Sequence, residues 1–153
     1  MKIERHLLAD DGIVPNNPEL PLVVYRQALV AGSPERIIAH FAARGWSNAW
    51  VNGIYDFHHY HATAHEVLGL SAGSARVQFG GASGPVVEVA AGDAVLIPAG
   101  VGHRRLSPAA GLVVVGAYPG GSDWDLVRAS AATCAASRTR IARVPSPQAD
   151  PIV

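Results

Sequence analysis

The sequence predicts an all-β fold, a sandwich or barrel of short strands with one short helix near its start. Three observations lead there. From Trp46 onward, β-favouring segments recur about every ten residues, broken at Gly53, Gly73, Gly80-Gly81, Gly84-Pro85, Gly92-Asp93 and Pro98-Ala-Gly100. Gly 16 and Pro 11 supply the turns that many short strands need. One stretch, before the strands begin, carries helical periodicity with stop signals at both ends.

Taken in order, residues 1–30 read as an extended arm, because Pro15, Asn16, Asn17, Pro18 and Pro21 interrupt regular structure. The arm is long for a tail and is expected to pair with a neighbouring sheet edge and shield it. Within it, Pro21-Leu-Val-Val-Tyr25 reads as a short strand. A helix is expected at 34–44. Ser33 serves as N-cap, Pro34 fits the first helical position, Glu35 complements the dipole and Gly45 stops the helix. Ile37, Ile38 and Phe41 share one face, which predicts packing on the outside of the barrel. Eight strands are expected near 46–52, 54–61, 65–72, 74–80, 85–90, 94–97, 102–106 and 111–118. The remainder holds a polar turn from Pro119 to Asp125, an Ala-rich stretch of helical character and an extended end. The chain thus divides into an arm and helix (1–45), a barrel core (46–118) and a C-terminal extension (119–153), all within one domain of 153 residues.

Apolar residues make up 49% and charged residues 16%, with zero net charge and scattered Lys and Arg. That balance argues against a nucleic-acid surface. The single Cys134 rules out an intramolecular disulfide and a multi-cysteine zinc site, and it reads as a small buried apolar residue. Met1 to Gly12 lacks the apolar core of a signal peptide, and no segment reaches the roughly 18 apolar residues of a membrane helix. A cytoplasmic protein without membrane contact is expected.

The chemistry concentrates in histidines. Four of the seven lie within eight residues: His58, His59, His61 and His65. On a strand, alternate side chains share a face, so His59 and His61 point together, about 7 Å apart, and His58 points away. A turn after His61 would let Glu66 open the next antiparallel strand and bring a carboxylate to the same point. His103, just after the Pro98-Ala-Gly100 turn, is the strong candidate for a further ligand. Mixed nitrogen and oxygen donors suit a divalent transition-metal ion: Fe, Mn, Ni, Cu, Co or Zn. Tyr55 and Phe57 share parity with His59 and His61 and are expected to face the interior, as core or pocket lining. Arg105 shares parity with His103, as a substrate anchor or a rim arginine. His58 and His65 read as surface histidines or as partners that orient a ligand. Trp124 receives no chemistry.

These residues carry a resemblance. Gly53-x5-His59-x-His61-x4-Glu66-x6-Gly73 matches the first cupin motif at every fixed position, and Gly92-x5-Pro98-x-Gly100-x2-His103 matches the second. Ser107 stands where the family usually has Asn, a departure that touches no ligand. Eighteen residues separate the motifs, as in small cupins. The block Tyr55-Asp-Phe-His-His-Tyr-His61 with Ala64-His-Glu-Val-Leu68 resembles the small, YjlB-like bacterial cupins, and Trp46–Asn52 and Gly116–Pro119 extend the likeness over most of the chain.

The resemblance implies a double-stranded β-helix, or jelly roll, in which His59, His61, Glu66 and His103 bind one metal ion. It further implies a homodimer. The expected function is that of a metal-dependent enzyme acting on a small organic substrate, with dioxygenase chemistry slightly ahead. A sugar isomerase or epimerase and a non-catalytic small-molecule-binding protein are the alternatives, since the fold alone hosts many chemistries.

Overall fold

The computed structural model describes residues 1–153. Eleven strands and two helices follow one another as β1 (Lys2–His6), β2 (Leu22–Arg26), α1 (Pro34–Ala42), β3 (Trp46–Asn52), β4 (His59–Tyr60), β5 (Glu66–Ala72), β6 (Ser74–Phe79), β7 (Val86–Ala90), β8 (Ala94–Ile97), β9 (His103–Arg105), β10 (Val113–Pro119), β11 (Val127–Arg128) and α2 (Ala131–Ala142). They form two antiparallel sheets. One has six strands in the order β1-β2-β8-β5-β10-β3, the other five in the order β11-β4-β9-β6-β7. Consecutive strands cross repeatedly between the sheets, which is the jelly-roll arrangement of a double-stranded β-helix.

The main core lies between the sheets. Leu22, Val24, Leu68, Leu70 and Val114 face Val77, Phe79, Val87 and Val89 across it. The alternate residues of the larger sheet point outward but are also buried, because α1 covers that face. Val23, Tyr25, Val67, Val115 and Ala117 pack there against Ile37 and Phe41. Two buried faces explain why β2 reads Leu-Val-Val-Tyr without polar alternation. Helix α1 starts as expected, with the Arg36 N–H donating to Ser33 Oγ at 3.3 Å. It lies close over Gly69, where a Cβ would come within 2.9 Å of Ile37, Leu29 and Phe41.

Three local differences from expectation have physical causes. The strand expected at 54–61 shrinks to His59–Tyr60, because this segment crosses from the larger sheet to the smaller one and the ladder breaks at the crossing. Two backbone bonds survive there, from the Arg105 N–H to the Tyr55 carbonyl and from the Ala129 N–H to the His58 carbonyl, each at 2.9 Å. The arm forms a strand of its own. β1 pairs with β2, so the arm covers an edge within its own sheet. The extension adds β11, which pairs Arg128 with His59 and Val127 with Tyr60. Helix α2 then turns Cys134, Ser137 and Ile141 inward. Ser137 Oγ accepts from the Tyr60 hydroxyl at 2.8 Å and donates to the Thr133 carbonyl at 2.8 Å. No helix is long and apolar enough to cross a membrane.

Candidate metal centre

The first residue of β5 and the short strands β4 and β9 of the smaller sheet set the site. β4 and β9 pair His59 directly with His103, and their ring centroids are 4.0 Å apart. Glu66 is the first residue of β5 and is 2% exposed, so its carboxylate enters the space between the sheets. Its Oε2 lies 3.1 Å from His61 Nε2 and its Oε1 3.5 Å from His103 Nε2. The donor atoms of His61, Glu66 and His103 all fall within 4.8 Å of one another. His59 stands just outside that triad, against His103.

The three imidazoles are held in one manner. His59 Nδ1 bonds to the Phe57 carbonyl at 2.8 Å, His103 Nδ1 to the Val101 carbonyl at 3.1 Å, and His61 Nδ1 to the Asp125 carbonyl. A carbonyl only accepts, so each Nδ1 carries the proton and each Nε2 is left for the site. This is the orientation that bound imidazoles take when their second nitrogen is anchored by a backbone oxygen. Three such rings and a buried carboxylate fit a divalent cation with mixed nitrogen and oxygen preference.

The electrostatics of the buried group agree. Burial alone would raise the Glu66 carboxyl, but the His61 and His103 imidazoles outweigh it and hold the group ionised, well below the usual carboxylate range. Burial opposes charge on His61 too, yet Glu66 and the Asp125 carbonyl raise its pKa above the ordinary imidazole value. A cation would take the place that Nε2 now has beside Glu66 Oε2. Burial, reinforced by His103, pushes His59 down to about 2, so that ring is neutral and ready to donate a lone pair.

The site opens into a cavity of about 390 Å³. Arg105 lines it, with Nε bonded to the Ile54 carbonyl at 3.0 Å and Nη1 to the Ser107 carbonyl. Ser107 also accepts the Arg76 N–H at 2.9 Å, so the residue that departs from the motif still fastens the loop. Tyr55 lies at the mouth and is 51% exposed. Phe57 does not line the cavity. It stacks behind Tyr55 at 5.0 Å, with the Arg128 guanidinium 4.1 Å from the centre of its ring. The segment has left the strand by this point, so alternation no longer sets its direction. His65 is buried and structural, accepting the Ala99 N–H at 2.9 Å on Nδ1 and bonded through Nε2 to the Pro145 carbonyl. His58 is half-buried, and its Nδ1 is enclosed without a hydrogen-bond partner. Cys134 is 1% exposed.

Sequence reasoning missed four contributors. The Tyr118 hydroxyl donates to Glu66 Oε2 at 2.6 Å, and Trp50 Nε1–H donates to the same hydroxyl at 2.7 Å. Trp124 stacks on Tyr118 at 5.7 Å and meets the edge of His61 at 5.4 Å. Asp125 supplies the carbonyl for His61, and its carboxylate caps the turn at Ala62 and Thr63. Each makes at least one contact across more than fifty residues, which no local spacing reveals. The signal available was the resemblance around Trp46–Asn52 and Gly116–Pro119, which contain Trp50 and Tyr118.

No protein-family profile matches the chain. It is 46% identical over 124 residues to the uncharacterised protein YjlB of Bacillus subtilis, an alignment that covers 80% of this chain and 73% of that one. The chain belongs to the YjlB family. Solved structures similar to this YjlB-type chain include an acireductone dioxygenase from Bacillus anthracis, 21% identical over 55% of this chain and 57% of that one, TM-score 0.41. A vicilin from Solanum lycopersicum is 17% identical over 71% of this chain and 29% of its own, TM-score 0.44. An 11S globulin from Wrightia tinctoria is 21% identical over 52% of this chain, TM-score 0.41, and the YjlB-type chain spans 22% of its length.

Proposed function

We propose that this cupin is a metal-dependent enzyme acting on a small organic substrate, with dioxygenase chemistry as the leading reaction. His59, His61, Glu66 and His103 hold one divalent transition-metal ion in this reading. The observation that carries it is the common orientation of three imidazoles around one buried carboxylate, each with Nδ1 on a backbone carbonyl and Nε2 toward the site. His59 joins the triad because its Nε2 is free and its ring lies against His103. Such an ion supplies Lewis-acid or redox chemistry.

The remaining residues have roles in binding. Arg105 keeps one guanidinium nitrogen, Nη2, to donate a charge-assisted hydrogen bond to a substrate carboxylate. Tyr55 closes one side of the mouth and Phe57 supports it from behind. The aromatic wall limits water and strengthens every charge interaction at the carboxylate. A phosphorylated sugar fits less well, since Arg105 is the sole Lys or Arg lining the cavity.

The test is metal analysis after anaerobic purification, then oxygen uptake with small chelating acids and phenols. We expect bound metal in the native protein, its loss in His61→Ala, and uptake with at least one chelating substrate. Equal metal in native protein and His61→Ala would sink the metal site. Tight binding without turnover would instead identify a small-molecule-binding cupin. The enzyme is proposed to act in the cytoplasm as a homodimer, for which the uncovered edges of β3 and β7 offer pairing surfaces. A monomer by light scattering would remove the dimer.

A further inference from the structure

We infer that Tyr118, oriented by Trp50, is a positioning residue that fixes the Glu66 carboxylate so that Oε1 is the oxygen presented to a cation. This rests on the metal site proposed above.

The direction of the hydrogen bonds carries the argument. An indole N–H only donates, so the 2.7 Å contact from Trp50 occupies an acceptor position on the Tyr118 oxygen. The single phenolic proton then goes to Glu66 Oε2, at 2.6 Å. That oxygen has a second neighbour, His61 Nε2 at 3.1 Å, whereas Oε1 has only His103 nearby, at 3.5 Å. One carboxylate oxygen is therefore held by the protein and the other is freer.

The local structure is built for this contact. Trp50 and Gly116 are cross-strand partners in β3 and β10, and the register shifts between Gly116 and Tyr118. Such a bulge re-aims the side chain beside it. A Cβ at 116 would overlap the Trp50 ring, so the absent side chain is the seat of the indole. Tyr118 is fully buried and Trp124 stacks on its far side, which leaves the phenol one place to be.

The experiment uses the full chain loaded with Co²⁺. Affinity is read by chelator competition and coordination by the visible absorption bands, with circular dichroism and thermal unfolding reporting the fold. Tyr118→Phe is expected to weaken Co²⁺ binding by about tenfold or more, the range seen when partners of a metal ligand are removed, and to alter the bands. Trp50→Phe should shift both in the same direction but less. The double variant should bind no more weakly than Tyr118→Phe, because Trp50 acts through the phenol. Unchanged affinity and spectrum in folded Tyr118→Phe would overturn the inference, as would losses that simply multiply in the double variant. Should Tyr118→Phe not fold, Trp50→Phe decides, and a wild-type spectrum in it is the overturning result. Failure of the metal site itself looks different. Wild type would then bind no Co²⁺, or His61→Ala would bind it as tightly as wild type.

Discussion

At the scale of single residues, Gly116 and His61 make the sharpest predictions. Gly116→Ala drives a methyl group into the indole of Trp50, an overpacking that typically costs about 1–3 kcal/mol. Chemical denaturation should show that loss, and the tryptophan emission should shift to the red as Trp50 moves toward water. His61→Ala should retain the fold and lose the ion, as plasma emission spectrometry of the purified variant would show. The grouping of His61, Glu66 and His103 was legible in the sequence because motif spacing encodes it. The direction of Phe57 was not. Alternation holds only along a regular strand, and the chain departs from one between Gly53 and His58. Trp50, Tyr118 and Asp125 were illegible for another reason. Their contacts depend on strands brought side by side from distant parts of the chain.

At the scale of elements, the last residues are tied to the outer face of the larger sheet. The Tyr25 hydroxyl donates to Asp150 Oδ2 at 2.5 Å, Trp46 Nε1–H donates to the Ala149 carbonyl at 3.0 Å, and Ile152 is buried beside α1. Burial, helped by the Asp150 carboxylate, raises the Tyr25 phenol well above its ordinary value. The unfolded chain releases this proton near pH 10 while the folded chain retains it. The corresponding stability is thus complete below about pH 10 and declines as the solution becomes more alkaline. Tyr25→Phe should flatten that alkaline decline and lower stability at neutral pH by roughly 1–2 kcal/mol, the worth of a hydrogen bond to a partly exposed charge. A variant with an unaltered alkaline profile would count against the contact. Helix α1 was legible to within two residues because caps and periodicity agree. The strand β1 was read only as an extended arm, since its polar sequence gains its partner from β2.

For the whole molecule, two sheets from one interleaved chain create a single interior with a charged pole and an apolar remainder. Leu22, Val24, Leu70, Val77 and Val114 fill the apolar part. At the other pole sits Glu66, an ionised group that is 2% exposed. Charge buried in this way is costly without a partner, so binding of an ion should stabilise the entire fold. At free metal 1,000 times the dissociation constant, linkage gives about 4 kcal/mol. That corresponds to a rise of roughly 10 °C in Tm for a chain of this size. Scanning calorimetry of chelator-stripped and Co²⁺-reloaded protein would measure it, and identical transitions would contradict a site at the heart of the barrel.

The Asp125 carbonyl has one more consequence, for the order in which the protein matures. A nascent chain that has emerged only as far as β10 already owns every imidazole and the carboxylate. It still lacks the oxygen that turns His61. The orientation of His61 is therefore completed only by the final fifth of the polypeptide.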